Sequence, residues 1–265
     1  MELGLKDLGY TYVNIDDCWS TKERDASGNL VADPEKWPRG IRPVVDEIHA
    51  MGLKFGLYGC AGVMTCASYP GSWGHEAQDA ELLASWDVDF WKHDNCFTPC
   101  PEDPDPQTCP DFSVDTKPWY GAMRDGLAAV AETKEILFNL CNWGRNEVWT
   151  WGAEYGQAWR MEVDNWGDWE SVVRIAATAS GIAEFSGPGG FNDLDMLVSN
   201  PPVGCYRCEV VIDADILKFV GNGVLSEPQE RLHFGLWAIA KSPLVIGADL
   251  NALPESSLKI LSNKV

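Results

Sequence analysis

Positive charge is scarce in this chain of 265 residues. Lys and Arg number 20 against 40 Asp and Glu, with four His, so the formal net charge is -20. Nucleic acids and anionic membrane surfaces call for a basic footprint, so neither is expected as a partner; neutral or cationic ones fit better. Long apolar runs are missing as well. No stretch of 18 apolar residues occurs, and the opening MELGLKDLGY has no hydrophobic signal region, so neither spanning nor secretion is written in the chain. Several catalytic signatures are also absent. There is no GxSxG, no HExxH and no Walker A, and His49, His75, His93 and His233 are scattered. Gly187-Pro188-Gly189-Gly190 precedes a strand and lacks a Lys, so it reads as a turn. Asp193 and Asp195 offer too few oxygens for a divalent cation.

Aromatic and apolar residues are plentiful, at 45% hydrophobic with thirteen Trp. Strand-like and helix-like runs alternate. YVNI (12–15), LKFGLYG (53–59), VDFWKHDNC (88–96), EILFNLCNW (135–143), AWRMEVD (158–164), FNDLDML (191–197) and SPLVIGADL (242–250) read as seven strands. Helical patterns fall between them, such as IRPVVDEIHAMG closed by Gly52. Alternation of this kind predicts βαβ units and a parallel sheet. Nearly every strand ends in reactive side chains: Asp16/Asp17, Tyr58, Lys92/Asp94, Cys141/Asn142, Arg160/Asp164 and Asp193/Asp195. In a closed barrel all strand C-termini share one mouth, whereas an open sheet uses mainly its switch point, so the barrel is favoured.

Carboxylates among aromatics are the best-stocked chemistry. Lys92 stands two residues before Asp94, on the same strand face, where its charge would hold Asp94 ionised. Arg160 and Asp164 are four apart, flanked by Trp159, Trp166 and Trp169. Aromatic faces pack on the C–H patches of sugars, and two carboxyls perform glycosidic cleavage. The nine Cys include spacings open to a zinc reading, Cys96/Cys100/Cys109 and Cys205/Cys208, but the acidic, Pro-rich stretch between Cys100 and Cys109 suits a disulfide better.

The stretches IDDCW (15–19), LKFGLYG (53–59), TCASYPGSWGHEAQDA (65–80), WKHDNC (91–96), WR followed by Asp164, and GPGGFNDLDML (187–197) resemble, in that order, glycoside hydrolase family 27. This family holds the α-galactosidases and α-N-acetylgalactosaminidases, and the fungal secreted type looks most similar. The resemblance implies an α/β fold, a (β/α)8 TIM barrel, incomplete here with strands 2–8 present. It places a single catalytic domain over 1–265, without the first strand and the C-terminal β-sandwich, which implies that the chain as written has little or no activity. Residues 198–220 form an atypical insertion, read either as a retained intron or as a loop stapled by Cys205 and Cys208.

The activity implied is that of a retaining exo-α-galactosidase acting by double displacement, without metal or cofactor. Asp94 is then the nucleophile and Asp164 the acid/base, with carboxyl groups about 5 to 5.5 Å apart. Asp16, Asp17, Lys92, Cys96, Arg160 and Asp195 would hold substrate hydroxyls, and Tyr58 would line the pocket. Asn142 and Arg145 are not the small pair expected for N-acetylgalactosamine, which favours galactose; α-N-acetylgalactosaminidase and β-L-arabinopyranosidase are the alternatives on this scaffold. A galactoside is the implied partner, with further copies of the chain in a longer form, and the location is extracellular. The resemblance also implies a Cys66–Cys96 disulfide and leaves Cys18 unpaired, beside Cys60 and Cys141 as buried thiols. His93 replaces an aromatic of the relatives, and alternation points it away from Asp94 into a packing role.

Overall fold

The computed structural model describes residues 3–99, 114–197, 225–251 and 253–263. The Cys100–Cys109 pairing and the 198–220 insertion lie outside the described residues. Six strands neighbour one another in chain order: β1 (Tyr12–Asn14), β2 (Lys54–Cys60), β3 (Phe90–Asp94), β4 (Leu137–Leu140), β5 (Ala158–Arg160) and β6 (Phe191–Asp193). Pairing from β1 to β5 is parallel throughout. With helices between the strands, this is the architecture of a (β/α)8 barrel, six strands of it. The run SPLVIGADL, expected as a seventh strand, contributes only a single parallel bridge, Leu197 to Ile246. The chain divides into two compact units, 11–159 and 1–10 with 160–265.

Within 11–159 the sheet organises the rest. β2 is buried along six of its seven residues, because a strand covered on both faces reads as a continuous apolar run. Gly59 is required there: a Cβ at that position would collide with the Trp91 indole. Three helices cover the strands: α1 (Ile41–Ala50), α2 (Glu76–Ser85) and α3 (Lys117–Val130). Helix α1 turns Ile41 and Val45 inward and stops at Gly52, whose φ of 70° lets its N–H close back on the His49 carbonyl. Phe55, Leu57, Leu83, Trp91, Tyr120, Met123, Phe138, Leu140 and Trp159 form the core. Each such side chain, fully buried, contributes about 1.5–3 kcal/mol.

The other unit relies on helices. These are α4 (Trp169–Gly181), α5 (Glu227–Ile239) and α6 (Glu255–Leu261). Asp168 caps α4 by accepting from the Ser171 N–H at 2.7 Å, and Gln229 Oε1 accepts from the Ser226 N–H at 2.8 Å at the start of α5. Strand β6 is short for a local reason. Asp195 has a φ of 75°, a left-handed conformation that breaks extended backbone, and its N–H turns to Asp193 Oδ1 at 2.8 Å. No helix among the described residues is long and apolar enough to cross a membrane.

Candidate active site

Strand β3 delivers the first group of candidate residues. Its register with β2 sets Tyr58 opposite Lys92 and Cys60 opposite Asp94. Alternation along β3 puts Lys92 and Asp94 on one face, Trp91 and His93 on the other. The Asp94 side chain is buried at the strand's C-terminal end, where its Oδ2 accepts from Tyr58 Oη at 2.7 Å and its Oδ1 from the Asn95 N–H at 2.8 Å. Burial, reinforced by the charge of Asp94, pushes the Tyr58 phenol well above its ordinary range, so it stays a donor. Lys92 Nζ donates to Asp16 Oδ2 at 2.7 Å, so its charge serves the carboxylate that follows β1.

Asp16 and Asp17 leave the end of β1 in opposite settings. Asp16 has a side chain 56% exposed. Asp17 is fastened across the site: Oδ1 accepts from the Cys18 N–H at 2.6 Å and Oδ2 from the Ala67 N–H at 2.9 Å. Burial raises its carboxyl above the ordinary value against these amides, which pull it down. Ala67 belongs to the loop after β2, and its neighbour Cys66 is joined to Cys96 in a disulfide. Cys66 Sγ sits 3.4 Å from Asp94 Oδ2, a contact that the sequence did not indicate. Both sulfurs are in the disulfide, so neither offers a thiolate to a metal.

Two cysteine expectations have different outcomes. Cys60 and Cys141 are buried thiols, as expected. Cys18, expected to be unpaired, is disulfide-bonded. The resemblance implied an unpaired Cys18 by the lack of the relatives' usual partner, but a different cysteine of this chain can take that place. His93 takes the packing role foreseen for it. It is fully buried, accepts from Trp91 Nε1 at 3.0 Å through Nδ1, and lies against Tyr120 and Phe138. Burial lowers its pKa to about 3, so it is neutral. Asn142 is also fully buried, with Nδ2 donating to Thr116 Oγ1 at 2.8 Å. The Thr116 N–H in turn donates to Asn146 Oδ1 at 2.9 Å and so ties down the loop after β4. The sequence clue to Thr116 was its place before Lys-Pro at the head of α3.

In the unit containing 160–265, one guanidinium gathers the candidates. Arg160, only 3% exposed, reaches Asp164 Oδ1 at 2.9 Å and Asp195 Oδ1 at 3.1 Å. Asp164 lies in the loop past β5, not in the strand that AWRMEVD suggested, and its side chain is 36% exposed. Asp195 is buried, its Oδ2 accepting from the Asn165 N–H at 2.8 Å and its carbonyl from Trp237 Nε1 at 2.7 Å. The three tryptophans near Arg160 differ. Trp159 is packed in the core and has no face for a sugar, whereas Trp166 is 42% exposed. Period-two alternation could not separate them, because Trp159 lies in β5 and Trp166 in the loop beyond it, where strand periodicity no longer holds.

Carboxylates presented beyond strand ends, steadied by neutral donors and by one buried arginine, suit acid/base and nucleophilic chemistry on a neutral substrate. The Melibiase_2 family, described as alpha galactosidase A, matches residues 1–204. A probable alpha-galactosidase B of Neosartorya fischeri is 41% identical over 291 aligned positions, covering 100% of this chain and 60% of that protein. The crystal structure of alpha-galactosidase I from Mortierella vinacea superposes with a TM-score of 0.82 at 34% identity, over 99% of this chain and 63% of that one. An alpha-galactosidase of Saccharomyces cerevisiae, solved with raffinose, gives a TM-score of 0.75 at 33% identity, over 98% of this chain and 55% of that one. The chain thus spans about 60% of the length of the curated relative it matches. From the order of its motifs, its strand-end carboxylates and these matches, the chain belongs to glycoside hydrolase family 27.

Proposed function

We propose that the protein is a retaining exo-α-galactosidase that removes terminal α-linked galactose by double displacement. The observation that carries this reading is the setting of Asp94. A carboxylate at the end of β3, fixed by Tyr58 and by the Asn95 amide, has one orientation and a neutral proton donor beside it. That is the arrangement a nucleophile needs, ionised and aimed. In this reading Asp94 attacks the anomeric carbon while Asp164 protonates the departing oxygen; water, activated by Asp164, then releases the sugar. The partial exposure of Asp164 suits a group that exchanges protons with solvent between the two steps. Asp16, Asp17, Lys92, Arg160 and Asp195 bind hydroxyls as acceptors and donors, Cys96 and Tyr58 shape the wall, and Asn142 supports the loop after β4 from its buried position. The Cys66–Cys96 disulfide supports an oxidising, extracellular setting.

The test is hydrolysis of an aryl α-galactoside by the protein and by a form extended to the length of its relatives, with a slow fluorinated galactoside used to trap the covalent intermediate. Mass spectrometry is expected to find the sugar on the peptide containing Asp94. Attachment elsewhere, or preference for the α-N-acetylgalactosaminide or the β-L-arabinopyranoside, would overturn the assignment.

A further inference from the structure

The connection from β1 to α1 spans residues 15–40 and contains no helix. A loop of such length in a compact unit is usually functional, and it needs something to hold its shape. Part of it is an antiparallel ribbon, bridged at Ser20 and Ala32, with the Thr21 N–H on the Val31 carbonyl at 2.8 Å. At the tip, Asp25 accepts from the amides of Ser27 and Asn29, and Gly28 adopts a φ of 87°.

Arg24 projects from this ribbon and bonds four ways. Nη1 donates to the Gly28 carbonyl at 2.8 Å and to Asp79 Oδ1 at 2.6 Å; Nη2 donates to the Gly71 carbonyl at 2.7 Å and to Asp79 Oδ2 at 2.7 Å. The side chain is 12% exposed and that of Asp79, on α2, is 0% exposed. One planar fork therefore grips its own ribbon, helix α2, and the loop after β2. Gly71 has no room for a Cβ, which would run into the Gly62 carbonyl, so the loop is tightly wound where the arginine takes hold. Gln78 adds two bonds from α2 to Ser27 and Asn29, each 2.8 Å, and Lys22 Nζ reaches the Ala67 carbonyl at 3.0 Å.

The two loops joined in this way carry candidate site residues. The ribbon continues from Asp16 and Asp17; the loop after β2 carries Cys66, beside Asp94, and Ala67, whose N–H holds Asp17. We infer that Arg24 and Asp79 are positioning residues for sugar binding, a bidentate pair that fixes the ribbon against the loop after β2 and so sets where Asp17 stands. A buried, fully hydrogen-bonded ion pair is a weak source of stability but a strong source of register. An ammonium cannot replace it, since lysine has no fork to reach two carbonyls and a carboxylate in one plane. The inference rests on the proposed galactosidase reading.

Arg24→Lys keeps a positive charge beside Asp79 and removes the geometry. On an aryl α-galactoside it is expected to raise KM about tenfold with kcat within about threefold, the pattern of lost binding geometry. In an Asp17→Asn background the same substitution is expected to change KM little, because the two residues act through one contact. A KM unchanged beside a lowered melting temperature, or additive effects with Asp17→Asn, would overturn the inference. Amide exchange at Ala67 gives a second reading that does not depend on turnover. Arg24→Lys is expected to speed it about tenfold while core amides of β2 stay as they were; no change at Ala67 overturns the positioning role. If neither the protein nor a form extended to the length of its relatives turns over the galactoside, the functional reading fails, and the exchange measurement still decides whether Arg24 fixes Asp17.

Discussion

The two compact units hold their carboxylates by different means. In 11–159 the sheet fixes the position: Asp94 is the last residue of a five-residue strand paired on both sides, and the side chain that touches it at 2.7 Å, Tyr58, comes from the neighbouring strand. In 160–265 the order around two carboxylates comes from a side chain: Arg160, the last residue of β5, pairs with Asp164 and Asp195, both of which lie beyond strand ends. Neutral donors fix the orientation of one carboxylate, whereas one buried cation fixes two at once. In the proposed reading the first arrangement aims a nucleophile, and the second leaves Asp164 partly exposed to solvent.

Substitutions can break this comparison, and the largest effect is expected at Asp94. Asp94→Asn keeps the shape and removes the charge, so kcat on an aryl α-galactoside is expected to fall by at least about 10⁴-fold. Asp164→Ala is expected to spare substrates with good leaving groups, which need no protonation, far more than those with poor ones. Rates measured across a leaving-group series would show the difference as a steepened slope; equal losses throughout would remove the distinction between the two acids.

Next comes Arg160. Because its guanidinium is buried between two carboxylates, Arg160→Ala leaves the buried Asp195 charged without its cation, and the expected loss of stability is about 3–5 kcal/mol by urea unfolding. Its contact with the partly exposed Asp164 contributes little of that. A loss below about 1 kcal/mol would mean that the arginine does not organise its unit.

Each unit also contains one buried histidine, which allows acid to probe both. Burial lowers the pKa of His93 to about 3 and that of His233 to about 4. Below about 6.5 the unfolded chain takes up a proton at each while the folded one does not. Stability is therefore full above pH 6.5 and declines as pH falls toward 4 and 3. At pH 5 each histidine is expected to remove about 2 kcal/mol relative to pH 8. His93→Phe should flatten that slope by one proton, read from urea midpoints at the two pH values. The smallest effect is expected at the cap of α4, where Asp168→Ala frees the Ser171 amide and costs about 1 kcal/mol.

The sequence carried the fold wherever periodicity and turn chemistry agreed. The alternation of strands and helices, the stop at Gly52 and the reactive group at the end of DFWKHD were all legible locally. What could not be read were features settled by partners far along the chain. Lys92 faces Asp16 from 76 residues away, and Arg24 meets Asp79 across 55. Strand length in the later unit escaped for another reason: FNDLDML is apolar enough to continue, and only the left-handed backbone at Asp195 ends it. That the Asn142 amide is enclosed with Thr116 could not be read either, since polarity alone does not tell a buried hydrogen bond from an open one. The family resemblance named the carboxylates; which donors hold them came from geometry.

The Cys66–Cys96 bond has a topological result. It closes a ring across a sequence separation of 30, and within that ring lie all of α2 and all of β3. A protease that cuts once between residues 67 and 95 therefore releases nothing. The two pieces stay tied until a reductant opens the ring, and an electrophoretic band that looks whole without reductant can hide a nicked chain. The same bond shortens the path along the chain from Asp94 to Tyr58 even when the fold is lost, and with it the search that this pair must make on refolding.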